Sequence, residues 1–482
     1  MKISVAIAAI LLVFAINAKV LEKEVNDINV KITFTNEKVQ FSQQPSQAFK
    51  MSGSPSVENI IFINDGLTLQ NVTGFGAAFT DSTAYLIKNL PADEYKKVLN
   101  NLFNRETGIG ISYIRLPISV TDFSLSNYTY DNMPAGEVDP ALLHFSIAHD
   151  EEYIIPMLKE ILEINPDLQI LISPWTAPAW MKTTDSLLGT FNGTEGNLIK
   201  TYYASYALYF AKIIKAYAAH GITIQAMTVQ NEPLYGPTTY PGLVMDAVAQ
   251  TDFINNYLAP AFISLGIKTK VFVFDHNWDR IDYPEYVLSN LNDAAKKIVA
   301  GSALHCYYGG VTNQTVLHLK FPDYKIYQTE CSGEDNIPDF IGILSWDMQN
   351  LLIGLVNNWG EVSMKWNIAL DQNKGPQNHG CPNCRGLILI NTTTNETTYN
   401  ADYYSMGTFS KYVVPGSTVT SLESDFGDKL IGASFIRPDN SRVAVLYNND
   451  TDAKTFNFTW FIGTPYYFET TLPGNTIGVY EW

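Results

Sequence analysis

Apolar and polar positions change rhythm three times along this chain. Residues from about 25 to 70 read as short strands broken by turns: Ile28 to Phe34, Gln47 to Met51, Ile60 to Ile63 and Leu67 to Leu69. From Val72 to about Ala369, short β-rich runs alternate with longer segments of 3.6-residue period, the pattern of repeated βα units on a parallel sheet. The β runs are Val72–Phe79, Ile111–Ile118, Leu168–Pro174, Ile222–Gln230, Lys270–Asp275, Ser302–Tyr308, Lys325–Thr329 and Glu361–Ala369. One intervening helix carries Tyr95, Val98, Leu99, Leu102 and Phe103 on a single stripe. Another runs from about Asn197 to His220, with Gly221 as its terminating glycine. Eight such units predict a (β/α)8 TIM barrel. A doubly wound open sheet is the rival, but no Gly-x-Gly-x-x-Gly follows any run.

After Arg385 the texture returns to β. Leu387–Asn391 and Glu396–Tyr399 read as a hairpin, Tyr403–Tyr412 as the last barrel helix, and Lys429–Ile436, Arg442–Tyr447, Phe456–Phe461 and Gly478–Trp482 as strands. The predicted organisation is a leader over 1–18, N-terminal strands over 19–70, a catalytic barrel over 71–414 with a hairpin insertion near 386–400, and a C-terminal region over 415–482. The two terminal β regions together form an associated all-β sandwich. The leader follows from Lys2, the apolar run Ile3 to Ile16 broken only by Ser4, and small residues at Ala15 and Ala18, which is the layout of a secretory signal peptide. No other stretch is continuously apolar over eighteen residues. The closest, Phe340 to Trp359, is interrupted by Asp347, Gln349 and Asn350.

Composition narrows the function classes. With 31 Lys and Arg against 48 Asp and Glu, the net charge of −17 leaves no basic footprint for nucleic acid. A chain 46% hydrophobic is not intrinsically disordered. Sequons at Asn71, Asn127, Asn192, Asn313, Asn391, Asn395, Asn449 and Asn457 accord with passage through the secretory pathway. Cys381 and Cys384 form a Cys-x-x-Cys in a Gly/Pro/Asn-rich loop. A redox pair and half a zinc site with His379 are open readings; a small structural disulfide is favoured in an oxidising compartment.

Active sites of such barrels lie at the C-terminal ends of the strands. The polar residues there are Asp81, Arg115 followed by Asp122, Trp175, Asn231-Glu232, Asp275-His276, His305 and Tyr307, Glu330, and Trp366. Two glutamates end strands four and seven, on opposite sides of the mouth. Each follows a run that should be buried, so its charge must be paired or functional. Two carboxyls flanking one bond is the requirement of glycoside hydrolysis. Asp275 and His276 read as rim residues. No Ser/His/Asp elbow, His-Glu-x-x-His or phosphate loop competes.

Specific segments carry a family resemblance. They are Gly74-Phe75-Gly76-Ala77-Ala78-Phe79-Thr80-Asp81-Ser82, Ser112-Tyr113-Ile114-Arg115-Leu116-Pro117, Ser173-Pro174-Trp175-Thr176-Ala177-Pro178, Val229-Gln230-Asn231-Glu232-Pro233, Thr329-Glu330-Cys331 and Tyr404-Ser405-Met406-Gly407-Thr408-Phe409. In order and in kind these resemble the glucosylceramidases of glycoside hydrolase family 30. The resemblance implies a retaining β-glycosidase with Glu232 as general acid/base and Glu330 as nucleophile. Asn231 is implied to hold the sugar 2-hydroxyl, and Arg115, His305 and Tyr307 to surround the nucleophile. Asp81, Trp175 and Trp366 are implied to form the glucose pocket. The expected reaction is release of glucose from glucosylceramide; an endo-β-1,6-glucanase or β-xylosidase of the same family is the alternative. A carbohydrate-binding barrel without catalysis is the reading from another class, and the presence of both glutamates weighs against it.

No cofactor or metal is expected. The expected partners are a glycolipid or β-glucoside substrate, transient contact with a membrane surface through loops at the cleft mouth, and an activator protein. The expected location is the lysosomal lumen, or alternatively the extracellular space, with an acidic optimum. Because side chains alternate along a strand, Cys306 and Cys331 are read as pointing away from His305 and Glu330 into the helix layer, as buried thiols.

Overall fold

A computed structural model describes residues 28–51, 57–336 and 339–482; the expected leader lies outside them. The chain divides into two compact units, one made of the described residues up to Asn71 together with Tyr412–Trp482, the other of Val72–Lys411.

The larger unit is a closed barrel of parallel strands: Gly74–Ala78, Tyr113–Ile118, Gln169–Pro174, Ala226–Thr228, Lys270–Asn277, Val299–His305, Lys325–Glu330 and Gly360–Lys365, neighbours in space in that order. The run expected over Ile222–Gln230 is a strand over only three residues, and the run to Ala369 stops at Lys365. The helix Tyr203–Ala219 ends as its composition predicts, with Gly221 at a φ of +80° that other residues adopt at a cost. The helix Ala401–Ser410 completes the repeat, and Ile388–Ile390 pairs antiparallel with Thr397–Tyr399 as the inserted hairpin.

The barrel interior is layered. Tyr113, Leu171, Ala226, Phe272, Ala303, Tyr327, Val362 and Met364 form an apolar floor drawn from seven of the strands. Phe272 and Tyr327 stack there, with ring centroids 3.9 Å apart. Side chains two residues further along a strand point the same way. The next layer is therefore Arg115, Ser173, Thr228, His305 and Thr329, and all five are buried. In the fifth strand the step is three residues, from Phe272 to Asp275. A register shift between Phe274 and His276, with positive φ at Phe274 and Asp275, inserts one residue there. Such a bulge re-aims the side chain it carries. Asp275 is thereby a member of the buried layer, not of the rim where the sequence pattern had put it.

In the smaller unit, strands follow one hydrogen-bonded order that includes Asn29–Thr35, Ile60–Asn71, Thr418–Ser424, Leu430–Ile436, Arg442–Asn448, Lys454–Phe461, Pro465–Leu472 and Thr476–Glu481. Ile60–Asn71 is continuous through Asn64-Asp65-Gly66. Val30, Ile61, Leu446, Phe458, Phe468 and Tyr480 share one core, so strands far apart in the order face one another as a sandwich. Among the described residues no helix is long and apolar enough to cross a membrane.

Asn457 is removed from the glycosylation candidates. It is 1% exposed, its amide donates to the Val57 carbonyl, and no glycan could be accommodated there. Asn71, Asn127, Asn192 and Asn395 are exposed. Cys381 and Cys384 form a disulfide, and so do Cys306 and Cys331, with Cα atoms 5.4 Å apart in each case. The second pair corrects the expectation of free thiols. His305 lies opposite Glu330 in the register of strands six and seven, which brings the cysteines one residue further on together.

Candidate active site

The buried layer above the floor is a charge network centred on Arg115. Its guanidinium pairs with Glu330 and donates to Asp275 at 2.8 Å, Asn231 at 2.6 Å and Ser173 at 3.2 Å. Asp275 also accepts from Thr228 at 2.7 Å, Thr329 at 2.6 Å and Ser173 at 2.9 Å, and meets His305 Nε2 at 3.0 Å. Burial acts to raise the Asp275 carboxyl. Arg115 and His305 outweigh that penalty and hold it far below the usual carboxylate range.

His305 joins the two glutamates. Its Nδ1 lies 3.3 Å from Glu232 and 3.8 Å from Glu330. Burial alone would lower the imidazole, but the carboxylates of Glu330 and Asp275 raise it to about 9. Oxygen atoms of Glu232 and Glu330 and a nitrogen of His305 all lie within 4.8 Å of one another. Those three side chains are of metal-ligating type. However, both His305 nitrogens already face carboxylates and Arg115 sits on Glu330, so the cluster is organised as a proton-sharing pair.

Each glutamate is presented differently. Glu330 ends strand seven; besides Arg115 it accepts the Tyr307 hydroxyl at 2.9 Å, and that hydroxyl in turn accepts the Ser332 amide at 3.2 Å. Glu232 follows strand four in a turn with φ of +46°, a left-handed conformation unusual for glutamate and held by its N–H donating to the Asp275 carbonyl at 2.9 Å. Its other neighbour is His276, at 3.8 Å. Burial pushes Glu330 up against the pull of His305 and Arg115. For Glu232 the burial penalty is outweighed by the His305 hydrogen bond and the charge of His276, and its carboxyl is drawn down.

A cleft of about 460 Å³ opens above the pair, lined by Glu232, Glu330, Asp122, Trp366, Tyr235 and Tyr308 among others. Trp366 stacks on Trp175 with centroids 5.0 Å apart, and Arg115 lies 4.8 Å from the Trp175 ring centroid. Asp81, expected in the sugar pocket, is buried and, like Trp175 and Asn231, is not among the residues that line this cleft. One of its oxygens takes the Tyr153 hydroxyl and the other the Leu125 amide at 2.9 Å. Asp122, just past strand two, does line it. It is 8% exposed with an unpartnered Oδ1, and burial, reinforced by Glu330, pushes it well up. Both acids follow a barrel strand, so the signal for Asp122 was present in the sequence; the partner of Asp81 is a tyrosine seventy-two positions away in the chain.

A closed parallel barrel with two carboxyls this close at its C-terminal mouth is the architecture of a glycoside hydrolase. Comparison with known proteins gives the same class and sharpens it. The chain belongs to glycoside hydrolase family 30: residues 72–413 match the TIM-barrel domain of that family and residues 416–478 its beta sandwich domain. Endo-1,6-beta-D-glucanase BGN16.3 of Trichoderma harzianum is 34% identical over 397 residues, covering 79% of this chain and 78% of that one. The lysosomal acid glucosylceramidase of Mus musculus is 30% identical over 438 residues, covering 86% and 81%. The solved structure of the endo-beta1,6-glucanase BT3312 superposes with a TM-score of 0.83 at 31% identity, covering 94% of this chain and 99% of that one.

Proposed function

We propose that this protein is a retaining endo-β-1,6-glucanase, in preference to the glucosylceramidase that its motifs first suggest. The observation that carries this is the chemistry of the cleft. Its wall is made of Tyr235, Tyr240, Tyr307, Tyr308 and Trp366 with acids, histidines, asparagine, serine, glycine and the Cys381–Cys384 disulfide, and it contains no Leu, Ile, Val, Met or Phe among the described residues. Tyr235 is 49% and Tyr308 69% exposed at that wall. Aromatic faces with hydrogen-bonding edges suit pyranose rings, whereas a ceramide needs continuous aliphatic surface. The endo-1,6-glucanase relatives support the same reading.

In this mechanism Glu330 attacks the anomeric carbon while Glu232 protonates the departing oxygen. Glu232 then takes a proton from the water that releases the glycosyl-enzyme, giving net retention. Donors decide the roles. Both oxygens of Glu330 accept from Arg115 and Tyr307, and a proton there would forfeit one of those bonds. Glu232 shares a single oxygen with the two histidines. Burial raises Glu330 and the histidines draw Glu232 down in the free pair, while the charge-assisted bond from Arg115 favours the anion at Glu330. Arg115, Asp275, protonated His305 and one ionised glutamate sum to zero charge, so the second glutamate keeps its proton beside this buried layer. Asn231, whose oxygen is taken by Arg115, retains its amide hydrogens for the sugar 2-hydroxyl, and Asp122 accepts from hydroxyls further round the ring. The leader-like N-terminus and two disulfides support a secreted protein.

The test is hydrolysis of a β-1,6-glucan, glucosylceramide and an aryl β-xyloside side by side. Oligosaccharides from the glucan, first released as the β-anomer, are expected. Glucose from the lipid with no attack on the glucan overturns the proposal.

A further inference from the structure

Lys182 is 2% exposed, yet no step of the reaction above uses it and no carboxylate pairs with it among the described residues. It follows the short helical turn Ala179–Met181 beyond strand three. Oxygens surround its Nζ instead: Thr176 Oγ1 at 3.0 Å, the Leu187 and Leu188 carbonyls at 3.0 and 2.7 Å, and the Gly242 carbonyl at 2.6 Å. A buried ammonium without a counter-ion is unusual, because only close, well-aimed acceptors offset its removal from water. An ammonium has three donors. This one spans four acceptors that belong to three separate stretches of chain.

Two of those stretches lie against each other. One is 183–197, closed at its base where Lys182 bridges to Leu198; the other is 234–244, beyond strand four. The Gly242 N–H donates to the Leu187 carbonyl at 3.1 Å and the Thr190 N–H to the Pro237 carbonyl at 2.9 Å. Gly189 and Gly242 make room for Pro237: a Cβ on either would stand 2.4 or 2.6 Å from its Cδ. Lys182 binds both sides of the Leu187–Gly242 contact. The second stretch brings Tyr235 and Tyr240 to the cleft wall, with ring centroids 6.4 Å apart. Tyr240 also packs against the cluster that holds Trp175 and Trp366.

We propose that Lys182 is a positioning residue for substrate. Its ammonium clamps 183–197 to 234–244 and so fixes Tyr235 and Tyr240 where they meet the glycan. The inference rests on the glycan reading of the cleft, since it needs a substrate that touches those two rings. A clamp on a binding wall acts on bound substrate and transition state alike, so its loss falls on KM and spares kcat.

The experiment measures β-1,6-glucan hydrolysis by wild type, Lys182→Met, Lys182→Arg and Lys182→Ala, well below the melting temperature of each. Lys182→Met keeps the stem and loses the donors; it is expected to raise KM at least about fivefold with kcat within about twofold. Lys182→Arg, which keeps charge and donors, is expected to lie closer to wild type. In Lys182→Ala, added n-propylammonium replaces the missing stem and ammonium and should lower KM. Tetramethylammonium, which has no N–H, should not. An unchanged KM in Lys182→Met, a loss carried mainly by kcat, or equal effects of the two cations overturns the clamp. If wild type leaves β-1,6-glucan uncut, the glucanase reading fails separately, and the clamp is read from amide hydrogen exchange. Exchange at least about tenfold faster over both 183–197 and 234–244 in Lys182→Met supports it; unchanged exchange in either segment overturns it.

Discussion

The two units bury polar groups in opposite ways. Among the described residues, the sandwich buries only uncharged ones, such as Thr33, Thr420, Ser434, Asn448, Asn457 and Thr476. The barrel buries Arg115, Asp275, His305 and Glu330 at its mouth, Lys365 with Asp347 and Asp402 beside it, and Lys182 in a nearby loop. Buried hydroxyls and amides are satisfied one bond at a time, as when Thr420 and Ser434 meet at 2.6 Å. Buried charges hold only as a set, because removing one partner leaves the other uncompensated. The sandwich core should therefore tolerate single polar deletions, whereas the barrel mouth should fail collectively.

That contrast can be broken at several points. The largest effect is expected from Glu330→Gln: turnover of an aryl β-glucoside falls by about 10⁴-fold or more. Residual activity within tenfold of wild type would remove Glu330 from the nucleophile role. Asp275→Ala should cost about 3–5 kcal/mol in urea unfolding and most of the activity, since Arg115 and His305 then confront each other without their shared carboxylate. Wild-type stability in that variant would sink the idea that the layer acts as a unit.

Protonation sharpens the comparison next. His305 is raised from its usual 6.5 to about 9, so its contribution is full below about 6.5 and disappears as pH climbs through 9. The shift corresponds to stability on the order of 3 kcal/mol. A melting temperature that falls between pH 6.5 and 9.5 in wild type, but not in His305→Gln, is the expected record.

Lys182 gives a smaller effect. Its ammonium, lowered to about 7 by burial, donates to Thr176 Oγ1 at 3.0 Å and to the carbonyls of Leu187, Leu188 and Gly242 at 3.0, 2.7 and 2.6 Å. Lys182→Met should destabilise by about 1–3 kcal/mol in the same unfolding assay. Ser434→Ala in the sandwich should cost only about 1 kcal/mol, independent of pH. A larger or pH-dependent loss there would mean the sandwich is not the simpler core.

How much of this was legible in the chain varies with range. Barrel strands, the hairpin insertion and the last helix follow from local periodicity, and both glutamates follow from their place after buried runs. Strand four was overdrawn because the apolar residues Ile222, Ile224 and Val229 flank a strand of only three residues. Asp275 was placed at the rim because a bulge at Phe274–Asp275 carries no glycine or proline to announce it. The hydrogen bond that holds Asp81 depends on Tyr153, seventy-two positions along the chain. The Cys306–Cys331 bridge depends on the register between two strands. Alternation along each strand, by itself, contains no such information.

That bridge has a consequence for biogenesis. In the aligned pair His305 faces Glu330, and the cysteines that follow them face each other. A slip of one residue would displace one strand by about 3.3 Å and reverse the facing of its side chains. His305 and Glu330 would separate, and the thiols beside them would move out of bonding reach. The disulfide is thus compatible with the alignment that sets His305 against Glu330, and a reactive thiol at Cys306 or Cys331 would mark a molecule assembled out of register.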